Sequence, residues 1–323
     1  MSYKQDLFWQ EIQTHYPEQY RITDDFFPSE YYLTTNKIKI HIDHYKKISS
    51  AASTPPIPIR AKIIMFHDIG TNGRLMSCFA ASLKNHNIEI ICPDLPIFGH
   101  TDYERNITYD YWLRCGEEVV KHFYDDIPIF LCGFGISGML CYQIACNLKS
   151  KKIEGIIATN LIDYRNPELK KNSVRKKFLS KTGKLIKNNK TQFLNSAKLP
   201  ISSVFNLDNF TNNDELKNLL SKDKFSWDCN IEIGFLKTLL NFDIKVEASE
   251  FEKCPILLLH PQNDNFTDIN LSKLFYDKIE CQKECYILEN GSHYPTEEKA
   301  LVQFEKRVIE FIDERVDLKQ TNL

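Results

Sequence analysis

Gly133-Phe134-Gly135-Ile136-Ser137-Gly138, Asp264 and His293 are the residues whose types and spacing could do chemistry. The six-residue stretch follows the apolar run IPIFLC and spells G-x-G-x-x-G. It also matches G-x-S-x-G, a tight strand-to-helix turn that presents a serine hydroxyl, with Gly135 where the serine would stand. A dinucleotide-binding turn opens its domain and has an acid at the next strand tip about 20 residues on. Here at least two strand–helix units precede the turn, and the acid at the next strand tip, Asp163, lies 25 residues after Gly138 (163 − 138). The hydroxyl-presenting turn fits more of the chain.

In that arrangement an early strand ends in a loop that supplies an N–H to a developing oxyanion. An acid then follows a late strand and a histidine follows the last one. The early strand runs into Phe66-His67-Asp68-Ile69-Gly70, which makes Ile69 and Ile136 the candidate oxyanion region. HPQNDNFTD places Asp264 after the late strand, with Asp268 as a more distant alternative, and ENGSHYP places His293 after the last. A triad needs an oxygen that the histidine can deprotonate, and Gly135 offers none. Ser137 is the nearby hydroxyl, in the first turn of the following helix, where a serine ordinarily serves the helix. Gly135, Asp264 and His293 therefore read as vestigial triad positions, with Asp264 and His293 holding two loops together. His67 is expected to pack or hydrogen-bond at the strand end. Asp68 stands where glycine is usual, which suits the tolerance of Asp for left-handed backbone.

These residues require a particular scaffold. AKIIMFHD, IEIICPD, IPIFLCG, IEGIIATNLI, CPILLLH and ECYILEN read as strands that alternate with helical patterns, the mark of a mostly parallel sheet covered on both faces. The helices include TYDYWLRCGEEVVKHFYD and a last one from about Glu297 to Val316, with Phe304, Val308, Phe311 and Ile312 on one face. YYLTTNKIKIHIDHYK predicts two antiparallel strands around Thr35-Asn36. The expected architecture is an α/β-hydrolase fold with a sheet of about eight strands. Residues 1–163 and 251–323 form its core, and 164–250 is a helical cap insert.

The insert differs in composition. Between Glu168 and Asp208 there is no acid, while Lys170, Lys171, Arg175, Lys176, Lys177 and further lysines fall there. Such a run is usually a solvated face, and its functional reading is a surface for anionic lipid headgroups or an acidic partner. Over the whole chain the formal charge is −2, with 42% apolar and 26% charged residues. That balance gives a full core and no general field for nucleic acid. The polar start MSYKQDLFWQEIQ lacks a signal-peptide pattern, and no apolar run approaches the roughly 20 residues of a spanning helix. A cytoplasmic protein is expected, with peripheral membrane contact through the basic run. The ten cysteines are scattered through apolar stretches, and neither a metal site nor a cofactor is expected.

FHDIGTNGRLMSCF, GFGISG and IEGIIATNLID together resemble the N-myc downstream-regulated (NDRG) family. The shared features are His67-Asp68-Ile69-Gly70, Ser77-Cys78-Phe79, glycine at position 135, Glu154-Gly155 and Ile162-Asp163. DCNIEIGFLKTLLNF resembles that family's cap helix. The resemblance implies an α/β-hydrolase fold without hydrolase activity, acting in signalling or trafficking through protein partners, lipids or a small ligand in the cleft. His293 departs from it, because family members usually lack that histidine. The alternative is a serine hydrolase of esterase or lysophospholipase type, with serine at 135 in the natural gene or Ser137 recruited.

Overall fold

The computed structural model describes residues 2–35, 38–46, 58–103, 106–148, 152–169 and 194–321. Lys170, Lys171, Arg175, Lys176 and Lys177 lie outside the described residues, and so does the proposed basic surface.

Strand β1 (Ser29–Thr35) pairs antiparallel with β2 (Ile38–Tyr45), as the alternation around position 35 predicts. Then follow β3 (Ala61–Phe66), β4 (Ile88–Pro93), β5 (Ile129–Gly133) and β6 (Ile153–Ala158). Short β7 (Lys198–Pro200) and β8 (Asn230–Glu232) form a separate ribbon, before β9 (Ile256–Pro261) and β10 (Lys283–Leu288). The main sheet has eight strands in the order β1-β2-β4-β3-β5-β6-β9-β10, antiparallel only where β2 meets its two neighbours. Every residue of β3, β4, β5 and β9 is buried, which is why these strands read as unbroken apolar runs and not as alternation.

Among the described residues the helices are α1 (Leu7–Gln13), α2 (Ser77–Ser82), α3 (Tyr109–His122), α4 (Ser137–Asn147), α5 (Ile201–Val204), α6 (Asp214–Leu220), α7 (Ile233–Leu240), α8 (Ile269–Tyr276) and α9 (Glu298–Thr321). Helix α3 starts at Thr108, whose hydroxyl accepts from the Tyr111 N–H, and buries Trp112, Cys115 and Val119 on one side. Helix α9 buries Phe304, Val308, Phe311 and Ile312, the face its spacing predicts, and continues to Thr321. The segment 194–250 lies on α3 through Phe235 on Trp112 (ring centroids 4.8 Å apart) and Phe242 on Tyr109 (4.7 Å). Glu232 in the same segment accepts the N–H groups of Asn106 and Ile107, which anchors it with charge as well as rings. No helix among the described residues is long and apolar enough to cross a membrane.

Candidate active site

Parallel strands bring their carboxyl ends to one rim, and side chains from loops there converge. The loop after β3 carries Asp68, the turn after β5 carries Gly135, the loop after β9 carries Asp264 and that after β10 carries His293. Gly135 has φ +52°, left-handed geometry that glycine adopts without strain. Its N–H donates to Thr159 Oγ1 at 2.9 Å. The next helix presses against β6 so closely that a Cβ on Gly138 would lie 2.0 Å from the Asn160 carbonyl oxygen. The tight turn read from the sequence is present.

Asp264 and His293 meet as predicted. His293 Nδ1 is 2.8 Å from Asp264 Oδ2, which also accepts from Asn160 Nδ2 at 2.9 Å, while Oδ1 accepts the Phe266 and Thr267 N–H groups at 2.8 Å each. Asp268, the alternative acid, instead caps α8 by accepting the Asn270 N–H.

The other face of His293 holds a residue that the sequence did not place there. Nε2 is 2.8 Å from Asp68 Oδ2, and Asp68 Oδ1 accepts the Ile136 N–H at 3.0 Å. A Cβ on Gly135 would fall 2.0 Å from Asp68 Oδ2 and 2.1 Å from its Cγ. The Asp68 carboxylate therefore stands where a side chain at 135 would project, and it already uses the N–H expected of Ile136 as an oxyanion donor. Asp68 has no left-handed φ; that geometry belongs to Gly70 (φ +78°), so the reason suggested for an aspartate at 68 is wrong. Its place is explained by the missing Cβ at 135.

Both ring nitrogens of His293 face carboxylate oxygens, which can only accept, so the ring is held doubly protonated. Burial works against the charge, but Asp264 first and Asp68 second outweigh it and push the pKa up to about 10. Burial raises and His293 lowers the Asp264 carboxyl, and the net effect is downward. His67 behaves as predicted: Nδ1 lies 2.8 Å from its neighbour's carbonyl oxygen (Asp68 O), Nε2 accepts the Leu95 N–H, and burial lowers its pKa. Ser137 is buried, and its hydroxyl donates to the His67 carbonyl oxygen at 2.5 Å, which commits its one proton to the strand end.

Asp68 and His293 form the polar side of a small cavity whose walls include Ile69, Ile136, Phe210 and Phe266. Trp227 and Thr267 are among its lining residues, and the Trp227 indole N–H and the Thr267 hydroxyl are buried without a hydrogen-bond partner. Its volume of about 20 Å³ holds one water, for which about 10–15 Å³ is needed. No cluster of three or more His, Cys, Asp or Glu with metal-holding geometry occurs among the described residues.

An eight-stranded, mostly parallel sheet with an acid–histidine pair after its last strands and a tight glycine turn after a central one defines an α/β-hydrolase fold. Residues 57–300 match the family described as serine aminopeptidase, S33, and the chain belongs to that family. Similar solved structures include a soluble variant of monoglyceride lipase from Saccharomyces cerevisiae in complex with a substrate analogue (TM-score 0.73, 16% identity, 93% of this chain and 98% of that one). A monoacylglycerol lipase from Paleococcus ferrophilus (TM-score 0.61, 13% identity, 85% and 99%) and an esterase from Exiguobacterium antarcticum (0.59, 12%, 88% and 100%) share the fold. No curated protein matches the chain in sequence. The family match and these neighbours overturn the binding-only function inferred from the N-myc downstream-regulated resemblance: the chain sits among hydrolases, and nothing in the matches singles out that other family.

Proposed function

We propose that this protein is a hydrolase of the lipase and esterase class, cleaving a small, uncharged, largely apolar ester with His293 as the proton-transfer residue. The observation that carries this reading is His293, held by Asp264 at 2.8 Å and facing an apolar cavity. A histidine fixed on one nitrogen by a buried carboxylate is the group that moves protons in acyl transfer, and here the other nitrogen meets Asp68 at the edge of the cavity. Lining residues such as Phe205, Phe210 and Trp227 come from the segment 164–250, which acts as a cap. The similarity to lipases and an esterase favours esters over amides. A serine nucleophile is not at hand, since position 135 is glycine and the Ser137 hydroxyl is committed elsewhere.

The test is hydrolysis of p-nitrophenyl acetate, butyrate and octanoate by the purified protein. His293→Gln should lower kcat/KM by about 100-fold or more, within the range of general acid–base catalysis. A folded wild-type protein that cleaves none of these esters above background would sink the reading.

A further inference from the structure

We propose that Asp68 is the nucleophile of this hydrolase, its carboxylate attacking the acyl carbon of the ester from the position that the missing side chain of Gly135 leaves open. This rests on the hydrolase reading above.

Three observations support it. The first is position: Asp68 Oδ2 lies 2.0 Å from where a Cβ at 135 would be, and it bonds to Nε2, the nitrogen that a nucleophile at this turn must meet. The second is orientation. The Ile136 N–H holds Oδ1 and His293 holds Oδ2, which fixes the carboxyl plane of a residue that lines the cavity. The third is charge. Two carboxylates flank one imidazolium in a buried site, so one negative charge is in excess. Asp264, with its own four hydrogen bonds, is enough to hold the histidine loop. A purely structural site would gain nothing from a second buried carboxylate facing an apolar cavity.

The chemistry balances. Oδ2 of Asp68 bonds to the acyl carbon, and the ester carbonyl oxygen takes up the developing charge. The acyl C–O bond to the alcohol then breaks, the electron pair leaving with the alcohol oxygen, which takes the Nε2 proton of His293. The products of this step are a mixed anhydride of Asp68, the free alcohol and a neutral imidazole. Acylation has removed the Asp68 charge, so His293 is now a base with one carboxylate partner. Water adds to the anhydride and gives one proton to Nε2 and one to solvent. The anhydride C–O bond breaks, leaving the substrate carboxylate and the original Asp68–His293 pair. The acid needed in the first step and the base needed in the second are the same ring in its two charge states.

The decisive comparison uses the full-length protein with p-nitrophenyl butyrate. Asp68→Asn keeps an oxygen for the Ile136 N–H, and it should keep the thermal midpoint while kcat/KM falls about 100-fold or more. In the wild type, the stable alkylating probe p-nitrophenyl glycidyl ether should esterify Asp68 in step with loss of activity. The modified peptide would be Ile63–Arg74, whose one acidic side chain is Asp68. Turnover that needs His293 but survives Asp68→Asn would overturn the assignment while leaving the hydrolase reading intact. So would inactivation by the probe with Asp68 unmodified. Absence of any ester turnover in the folded wild type would overturn both.

Discussion

Two buried histidine–carboxylate clusters sit on the same rim of the sheet, and they differ in what surrounds them. Asp94, after β4, pairs with His41 at 3.0 Å and accepts from the Gly73 and His100 N–H groups, at 2.7 Å each, and from the Tyr3 hydroxyl at 3.0 Å. Burial raises its pKa, but His41 and the donors reverse this and bring it down to about 2. Its donors come from four places along the chain, and none of its residues lines the cavity that Asp68 and His293 face. The Asp68–His293–Asp264 cluster uses the same chemical parts beside a cavity with largely apolar walls. The first cluster ties loops together. On the hydrolase reading proposed above, the second moves a proton.

The contrast can be broken most severely at Asp94. Asp94→Ala leaves the buried His41 without its counter-charge and three further donors unpaired, so chemical denaturation should show a loss of about 3–5 kcal/mol. Asp68→Asn should change stability far less, and equal losses at the two sites would erase the distinction.

Gly135→Ser tests whether Asp68 and a side chain at 135 exclude each other. The single variant drives a Cβ into the Asp68 carboxylate and should destabilise by about 1–3 kcal/mol. Gly135→Ser combined with Asp68→Gly clears that space and aligns serine, His293 and Asp264. The double variant should react with fluorophosphonates in a His293-dependent way while the single variant does not. Equal labelling of both would mean that the two positions are independent.

The pH profile gives the next effect. A histidine base with its ordinary pKa of about 6.5 gives activity that rises through neutrality. Here the ring of the free enzyme must start protonated, so kcat/KM should show no such rise and should fall as pH climbs through about 10. The sign for stability agrees. The folded pKa lies above the unfolded one, so the contribution of His293 is complete below about 6.5 and is lost as pH rises through about 10. A rise of kcat/KM centred near neutrality would contradict the double-carboxylate clamp.

The fold was legible because central parallel strands, buried on both faces, advertise themselves as short apolar runs between helical patterns. Asp264 and His293 were legible because each follows a strand in the order that the turn at 135 demands. Asp68 was not. Its role depends on a volume exchange between two segments: the absent Cβ of Gly135 is filled by a carboxylate from another strand, and no periodicity records that. The visible signal was an acid in place of a glycine after His67, and backbone tolerance was the wrong physical account of it. Asn160 and Thr159, which hold Asp264 and the turn, were equally hidden, because ordinary polar residues at a strand end have no signature of their own.

The segment 3–20 bears on how the chain is made. Tyr16 shares a hydrogen bond of 2.9 Å with Tyr294, the neighbour of His293, across 278 residues of chain, and Tyr294 in turn donates to the Leu75 carbonyl oxygen. At the usual pace of about 5–20 residues per second, a ribosome takes roughly 15–55 seconds to cover that interval. Throughout that time Tyr16, buried in the finished molecule beside the buried Trp9 and Ile12 of the same segment, has no Tyr294 to pair with. The beginning of the message is translated long before its product can settle, so the nascent chain carries an apolar flap that a chaperone would meet first.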